Sequence, residues 1–294
     1  MKIALVLNPA SGGNAGGKQL PQVRHALSNF GIDHDLFSSR SGSHLYGIGK
    51  NLNPGDYDAL VTMGGDGTHF HFLNGLLSAH PMAHLPALGI IPAGSGNSFA
   101  MDLGIFDIHE AIHAISKKAP RPVDLILARG NSKFYFVNLA GLGFVTDVAQ
   151  TASRFKFLKK TSYLLGVFHR LLTLKPFPME IRIDGAIHKG EFCFAEICNS
   201  QFTGGTMHMA PGAKIDDGFM DLILARPLSR KKLLRALPGL YKGDHVHLKE
   251  VSHIRAREIE IISSTPIPLL PDGELFGTAP AKFKIIKHGL RYLA

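Results

Sequence analysis

Three apolar runs constrain this chain more than any other feature, because each is followed by a cluster of glycines and small polar residues. Lys2–Leu7 reads KIALVL, 58–63 reads DALVTM and 87–91 reads ALGII. Apolar runs without alternation are what strands buried on both faces look like. Helical patterns lie near 18–30, 43–52, 68–79, 97–103 and 107–118, and a further strand-like stretch covers 34–37. Strands alternating with helices predict a parallel α/β sheet. The loops that follow such strands share the carboxyl edge of the sheet, where α/β proteins bind ligands.

After Arg121-Pro122 the pattern changes. Short β-rich segments follow at 123–129, 133–140, 179–184, 187–199, 219–225, 245–251, 254–262 and 282–287, interrupted by helical patterns at about 148–174 and 229–241. Asp-Gly pairs at 184–185, 217–218 and 272–273 supply turns, the first a good hairpin signal. We expect an N-terminal parallel-sheet α/β domain over 1–122. A mainly antiparallel β-sandwich domain over 123–294 should follow, its final residues packing back onto the first. At roughly 150 residues per domain, 294 residues make two.

Lys plus Arg exceed Asp plus Glu, 32 to 23, a net charge of +9. That balance favours anionic partners such as nucleotides, nucleic acid or an anionic membrane, without choosing among them. Cys193 and Cys198 share a strand-like segment with their side chains on opposite faces, which argues against a disulfide between them and for a reducing cytosol. The apolar run at the start is short and broken by Asn8-Pro9, unlike a signal peptide. The greasiest stretch, 163–168, is too short to span a bilayer. The expectation is a cytoplasmic protein with peripheral contact at a membrane surface.

The sharpest motif is Gly64-Gly65-Asp66-Gly67-Thr68, which follows a strand and opens a helix. Glycines let the backbone approach a phosphate, and the helix N-terminus attracts its charge. Asp66 is suited to hold a metal or polarise a reacting hydroxyl. Standing alone, the five residues also read as a turn with Thr68 as helix cap. Two further loops alter that balance: Asn8-Pro9-Ala10-Ser11-Gly12-Gly13 after the first strand, and Pro92-Ala93-Gly94-Ser95-Gly96-Asn97-Ser98 after 87–91.

These three motifs, in this order and spacing, resemble the diacylglycerol kinase catalytic superfamily, which includes bacterial diacylglycerol and phosphatidylglycerol kinases, sphingosine kinases and ceramide kinases. The likeness continues through Arg121-Pro122-Val123-Asp124-Leu125, Asn138 to Phe144, Ala210 to Gly218 and Pro271-Asp272-Gly273-Glu274, nearly the whole chain. GGDGT is shared with NAD kinases, so the later motifs discriminate. There are departures. Asn and Glu commonly follow GGDGT where Phe70 and His71 stand, and many bacterial relatives carry Asp where Ser98 stands.

The resemblance implies an ATP-dependent lipid kinase that moves the γ-phosphoryl group of ATP to a hydroxyl of a diacylglycerol or sphingoid-type lipid. It implies ATP contacts from Asn8, Pro9, Ser11, Gly12, Gly13, Gly64, Gly65, Asp66, Gly67, Thr68, Gly94, Ser95, Gly96 and Asn97, with Ser38 or Ser39 near the adenosine. It also implies Glu274 as proton acceptor, with Asp66 as the other catalytic carboxylate, and Asp124 near the substrate. A structural Mg²⁺ would take Asp217 and the carbonyls of Lys214 and Phe219. From the residues alone, Asp216-Asp217-Gly218 reads rather as a plain Asp-Gly turn, and Glu274 as a solvated turn residue. The alternatives are an NAD kinase-like enzyme and a catalytically silent nucleotide- or membrane-binding module.

Three other motifs read differently. Gly12 to Lys18 fits a P-loop until Gln19 stands where Ser or Thr would bind Mg²⁺. His109-Glu110-Ala111-Ile112-His113 spells a zinc-protease motif, but Ile108, Ala111, Ile112 and Ile115 form the apolar stripe and leave the histidines on its flank. Arg154-Phe155-Lys156-Phe157-Leu158-Lys159-Lys160 interleaves basic and apolar residues, as membrane docking, nucleic-acid binding and a packed helix with solvated lysines all would. Our expectation is a lipid substrate at a membrane surface and no nucleic acid.

Overall fold

The computed structural model describes residues 1–154 and 175–294, with only the backbone of 150–154. The basic-apolar segment after Arg154 therefore lies outside the described residues. Four parallel strands come first: β1 (Lys2–Leu7), β2 (Asp33–Ser38), β3 (Ala59–Gly64) and β4 (Ala87–Pro92), in the order β2-β1-β3-β4. Every residue of β3 and β4 is buried, which is why these runs do not alternate. Helices α1 (Ser11–Asn29), α2 (Gly42–Asn51), α3 (Asp66–Ala79), α4 (Ser98–Asp102) and α5 (Ile108–Lys117) connect and cover them.

The rest of the chain contributes β5 (Pro120–Arg129), β6 (Lys133–Phe136), β7 (Leu139–Gly143), helix α6 (Phe144–Arg154), β8 (Phe177–Ile183), β9 (Ala186–Phe192) and β10 (Phe194–Cys198). A two-stranded ribbon, β11 (Phe202–Thr203) with β12 (Met207–His208), precedes β13 (Met220–Ala225) and helix α7 (Arg230–Ala236). Then come β14 (Val251–Ala256), β15 (Glu258–Ile262), β16 (Ile267–Pro271), β17 (Thr278–Ala279) and the long β18 (Ala281–Leu293). The antiparallel sheet β14-β13-β10-β7-β16-β17 stacks on the antiparallel part of the larger sheet. Ile126, Phe136, Ile181, Ile259 and Phe283 meet Leu142, Ala195, Ile197, Leu222 and Leu269 between the two.

The larger sheet does not stop at residue 122. β18 lies between β4 and β15, pairing parallel with β4 at Tyr292 and antiparallel with β5 and β15. β5 stays its partner on both sides of a bulge between Ile286 and Leu290, while on the other edge β15 pairs before the bulge and β4 after it.

Several expected strands divide where the chain changes sheet. The segment 187–199 breaks at Cys193 into β9 of the larger sheet and β10 of the smaller one. Likewise 254–262 breaks at Arg257, where the Asp184 carboxylate accepts the Arg257 and Glu258 N–H groups at 3.0 and 2.8 Å. The expected strand 245–251 is instead a 3₁₀ turn, Asp244–His247, leading into β14. Cys193 and Cys198 are both buried free thiols.

Candidate active site

The loops after β1, β3 and β4 come together at one edge, where Asn8 joins the first two and Ser11 and Asn97 brace their own loops. The Asn8 N–H donates to the Met63 carbonyl at 3.0 Å and its Nδ2 to Thr68 Oγ1 at 3.1 Å, joining the first loop to GGDGT. Ser11 Oγ donates to the Asn8 carbonyl at 2.8 Å. Asn97, in the left-handed region at φ 58°, closes its own loop by accepting the Gly94 N–H at 2.8 Å. Gly94 and Gly65 pack backbone on backbone: a Cβ on Gly94 would lie 2.4 Å from the Gly65 Cα. Side chains are excluded here because the loops touch, which leaves peptide groups as the lining.

Asp66 joins the second loop to the third. Its Oδ2 accepts the Ser98 N–H at 3.0 Å and its Oδ1 the Phe99 N–H at 3.1 Å, so the carboxylate caps α4. Burial raises its pKa, and these N–H groups work against that rise. Ser98 Oγ accepts the Gly205 N–H at 3.1 Å, extending the site to the β11–β12 ribbon. Ser95 is exposed. Ser38 and Ser39 end β2 at the same edge; Ser39 donates its N–H to the Leu7 carbonyl at 2.8 Å, and its buried hydroxyl has no protein partner.

Glu274 arrives from the sandwich. The Glu274 N–H donates to the Pro271 carbonyl at 2.8 Å, a tight turn that lays the side chain over GGDGT. A Cβ on Gly67 would fall 2.0 Å from Glu274 Oε1, so only glycine leaves the carboxylate this place. The other oxygen, Oε2, lies 3.3 Å from His71 Nε2. Phe70, next to it, is buried edge-on against Phe134 and Phe276 at 6.2 and 5.6 Å between ring centroids. Beside His71 opens a cleft of about 680 Å³ lined by Tyr46, Phe70, Asn74, Tyr135 and Phe276.

Two carboxylates that sequence reasoning missed, buried Asp272 and half-buried Asp102, hold this arrangement. Asp272 accepts the Asn138 and Leu139 N–H groups at 3.1 and 3.2 Å, clamping the Glu274 turn to the start of β7. Burial first, and the Asp66 charge second, push its pKa to about 8. Asp102 accepts the Gln201 N–H at 3.1 Å, and burial pushes it to about 6. An Asp-Gly turn was visible in the sequence at 272–273; its burial was not.

The remaining expected residues gather elsewhere. Buried Asp124 accepts the Gly218 N–H at 2.5 Å and the His288 N–H at 2.7 Å, fastening the Asp217-Gly218 turn to the β18 bulge. Asp217 Oδ1 accepts the Phe219 N–H at 3.0 Å, and Oδ2 pairs with Arg255. Arg255 and Arg257 stack on the Phe219 ring at 4.4 and 4.7 Å. The positive charge beside Asp217 is thus a guanidinium. As they stand these residues do not fit a bound cation, because both Asp217 oxygens face donors. No cluster of three or more His, Cys, Asp or Glu suited to a metal occurs among the described residues. His109 and His113 are exposed on α5 above its buried apolar stripe, and Lys18 is exposed on α1.

Comparison with known proteins gives this edge its context. Residues 2–128 match the diacylglycerol kinase catalytic domain, and 139–294 match the YegS C-terminal NAD kinase beta sandwich-like domain. The chain belongs to the diacylglycerol kinase family. It is 28% identical to a diacylglycerol kinase of Bacillus subtilis (95% of this chain, 91% of that one), and 30% identical to one of Staphylococcus aureus strain Newman (95% and 88%). These relatives support a lipid kinase.

The fold is shared with solved structures. A diacylglycerol kinase from Bacillus anthracis superposes with TM-score 0.80 at 23% identity, over 99% of this chain and 96% of that one. An NAD kinase from Archaeoglobus fulgidus in complex with ATP is more distant, with TM-score 0.51 at 15% identity over 100% and 94%. No described helix is long and apolar enough to cross a membrane.

Proposed function

We propose that this lipid kinase uses ATP and transfers its γ-phosphoryl group to the primary hydroxyl of a diacylglycerol or sphingoid-type lipid, releasing ADP. The observation that carries the reading is the position of Glu274. A carboxylate from the sandwich lies over Gly67, in the middle loop of the three that meet at the sheet edge. Phosphoryl transfer is chiefly positioning and charge stabilisation, so it needs a phosphate cradle and a group that orients the attacking hydroxyl.

In this reading the loops around Asn8–Gly13, 64–68 and 94–97 receive the phosphates through peptide N–H groups, and Asp66 locks the second loop to the third. The aromatic cleft beside His71 receives the nucleoside. Mg²⁺, if bound with the nucleotide, would supply neutralisation of the phosphate charge. Glu274 accepts the proton of the lipid hydroxyl as attack proceeds. The lipid reaches the site from a membrane surface, at which a chain of net charge +9 is favoured when the lipids are anionic.

The test is γ-labelled ATP offered to vesicles carrying diacylglycerol, phosphatidylglycerol or a sphingoid base, with NAD in a parallel tube. We expect label in one lipid. Label in NAD, or ATP binding with no transfer to any acceptor, would replace this reading with the NAD kinase-like or the silent alternative.

A further inference from the structure

Glu274 is 41% exposed in its side chain, and a turn carboxylate with that much freedom is a poor base unless something fixes it. One side chain does so. His71 Nε2 stands 3.3 Å from Glu274 Oε2, across 203 residues of sequence. The imidazole is itself held. A Cβ on Gly42 would meet the His71 Nε2 at 2.6 Å, so the start of α2 closes one side of the ring. The Phe70 ring stands edge-on to it on another, at 5.4 Å between centroids. The two oxygens of Glu274 therefore have distinct neighbours: Oε1 the phosphate loop at Gly67, Oε2 the imidazole.

We propose that His71 is the positioning residue for Glu274, holding the carboxylate over Gly67 through Oε2 so that Oε1 is the atom offered to the acceptor hydroxyl. The inference rests on the reading of Glu274 as proton acceptor. A carboxylate in that place would repel Glu274, whereas an imidazole N–H donates to it. No electron or group passes through His71: the hydroxyl proton goes to Glu274, the lipid oxygen bonds to phosphorus, and the bond to the ADP oxygen breaks. Among the described residues, the titratable groups that contact His71 or share its cleft are Glu274 on the turn, Lys133 and Tyr135 on β6, and Tyr46 on α2.

The experiment measures single-turnover phosphorylation of the best lipid, ATP affinity and the pH–rate profile for the wild type, His71→Ala and His71→Gln. Misplacing a reacting group by about 1 Å can cost about 10²-fold, and we expect His71→Ala to lose single-turnover rate up to that scale at saturating ATP, where any change in ATP affinity no longer enters the rate. His71→Gln keeps a donor and should recover most of the rate. It should also lose any part of the pH dependence that belongs to the imidazole. A His71→Ala variant with wild-type rate and pH profile overturns the proposal, as does one that loses ATP affinity with its rate intact. Glu274→Gln run alongside separates the two levels: a wild-type rate there removes the base itself, whereas a slowed Glu274→Gln beside an unaffected His71→Ala removes only the role of His71.

Discussion

The His69 ring is held by two strands that are far apart in sequence: Nδ1 lies 3.0 Å from Thr62 Oγ1 on β3, and Nε2 lies 2.5 Å from the Tyr292 hydroxyl on β18. All three groups are buried. His69 follows GGDGT by one residue, so the helix that opens the phosphate loop is pinned at its first turn to the strand that joins the two halves of the fold. Tyr292→Phe would leave one ring nitrogen without a partner at a site that excludes water. A buried unsatisfied group costs about 1–3 kcal/mol. We expect denaturant melts to show a loss in that range, and a melt unchanged from wild type would show that the contact contributes nothing.

Glu274→Gln keeps shape and volume but cannot accept a proton. General-base catalysis contributes about 10²–10⁴-fold, or roughly 3–5 kcal/mol of barrier. The rate of the chemical step should fall within that range while ATP affinity changes little. If the substituted enzyme turns over at the normal rate, Asp66 is left as the remaining carboxylate of the pair.

Buried carboxyls set the pH dependence of stability. Burial pushes Glu196 to about 8, and its Oε2 has no partner. Between about pH 4.5 and 8 the folded chain keeps a proton that the unfolded chain has released, so stability falls as pH rises, by up to about 1.4 kcal/mol per pH unit for each such group. Asp272, at about 8, acts over the same window, and Asp102, at about 6, over its lower part. His69, which burial holds neutral down to about 3, acts in the opposite sense below about pH 6.5. Glu196→Gln should flatten the decline between pH 6.5 and 8, which urea melts at several pH values would measure. An identical slope in the variant would mean that Glu196 ionises in the folded protein.

At Asp217 the geometry favours Arg255 over a metal. Melting should then be indifferent to both EDTA and added Mg²⁺. Asp217→Asn should cost under about 1 kcal/mol, as expected of a pair whose Arg255 side chain is 51% exposed. A drop in melting temperature with EDTA that the Asn variant no longer shows would instead place a cation there.

How much of this was legible in the sequence depends on how local the cause is. The runs in β1, β3 and β4 and the glycine clusters behind them are written in consecutive residues, and the α/β half with its loops follows directly. Cys193 and Arg257, where strands change sheet, carry no local mark. What decides each switch is which neighbour offers a ladder, as the Asp184 carboxylate does at Arg257. The site follows the same rule. Asp66 and Glu274 sit in compact motifs, whereas the clamp by Asp272 and the contact of His71 with Glu274 arise only when residues over 130 positions apart are brought together. A buried carboxylate leaves no periodicity to read, and neither does an imidazole that faces a distant turn.

The placement of β18 bears on how the chain acquires its structure. Until residues 281–293 arrive, β4 has an open edge and β5 and β15 lack the strand between them. An open edge of that kind invites pairing with other chains. The N-terminal strands therefore wait for a segment some 190 residues downstream of β4 (Ala281 follows Pro92 by 281 − 92 = 189 positions). Pairings of such long range make folding slow. During synthesis the α/β half is held in an unfinished, association-prone state until residues 281–293 have emerged, so its yield in the cell should depend on chaperones more than that of a domain whose sheet closes early.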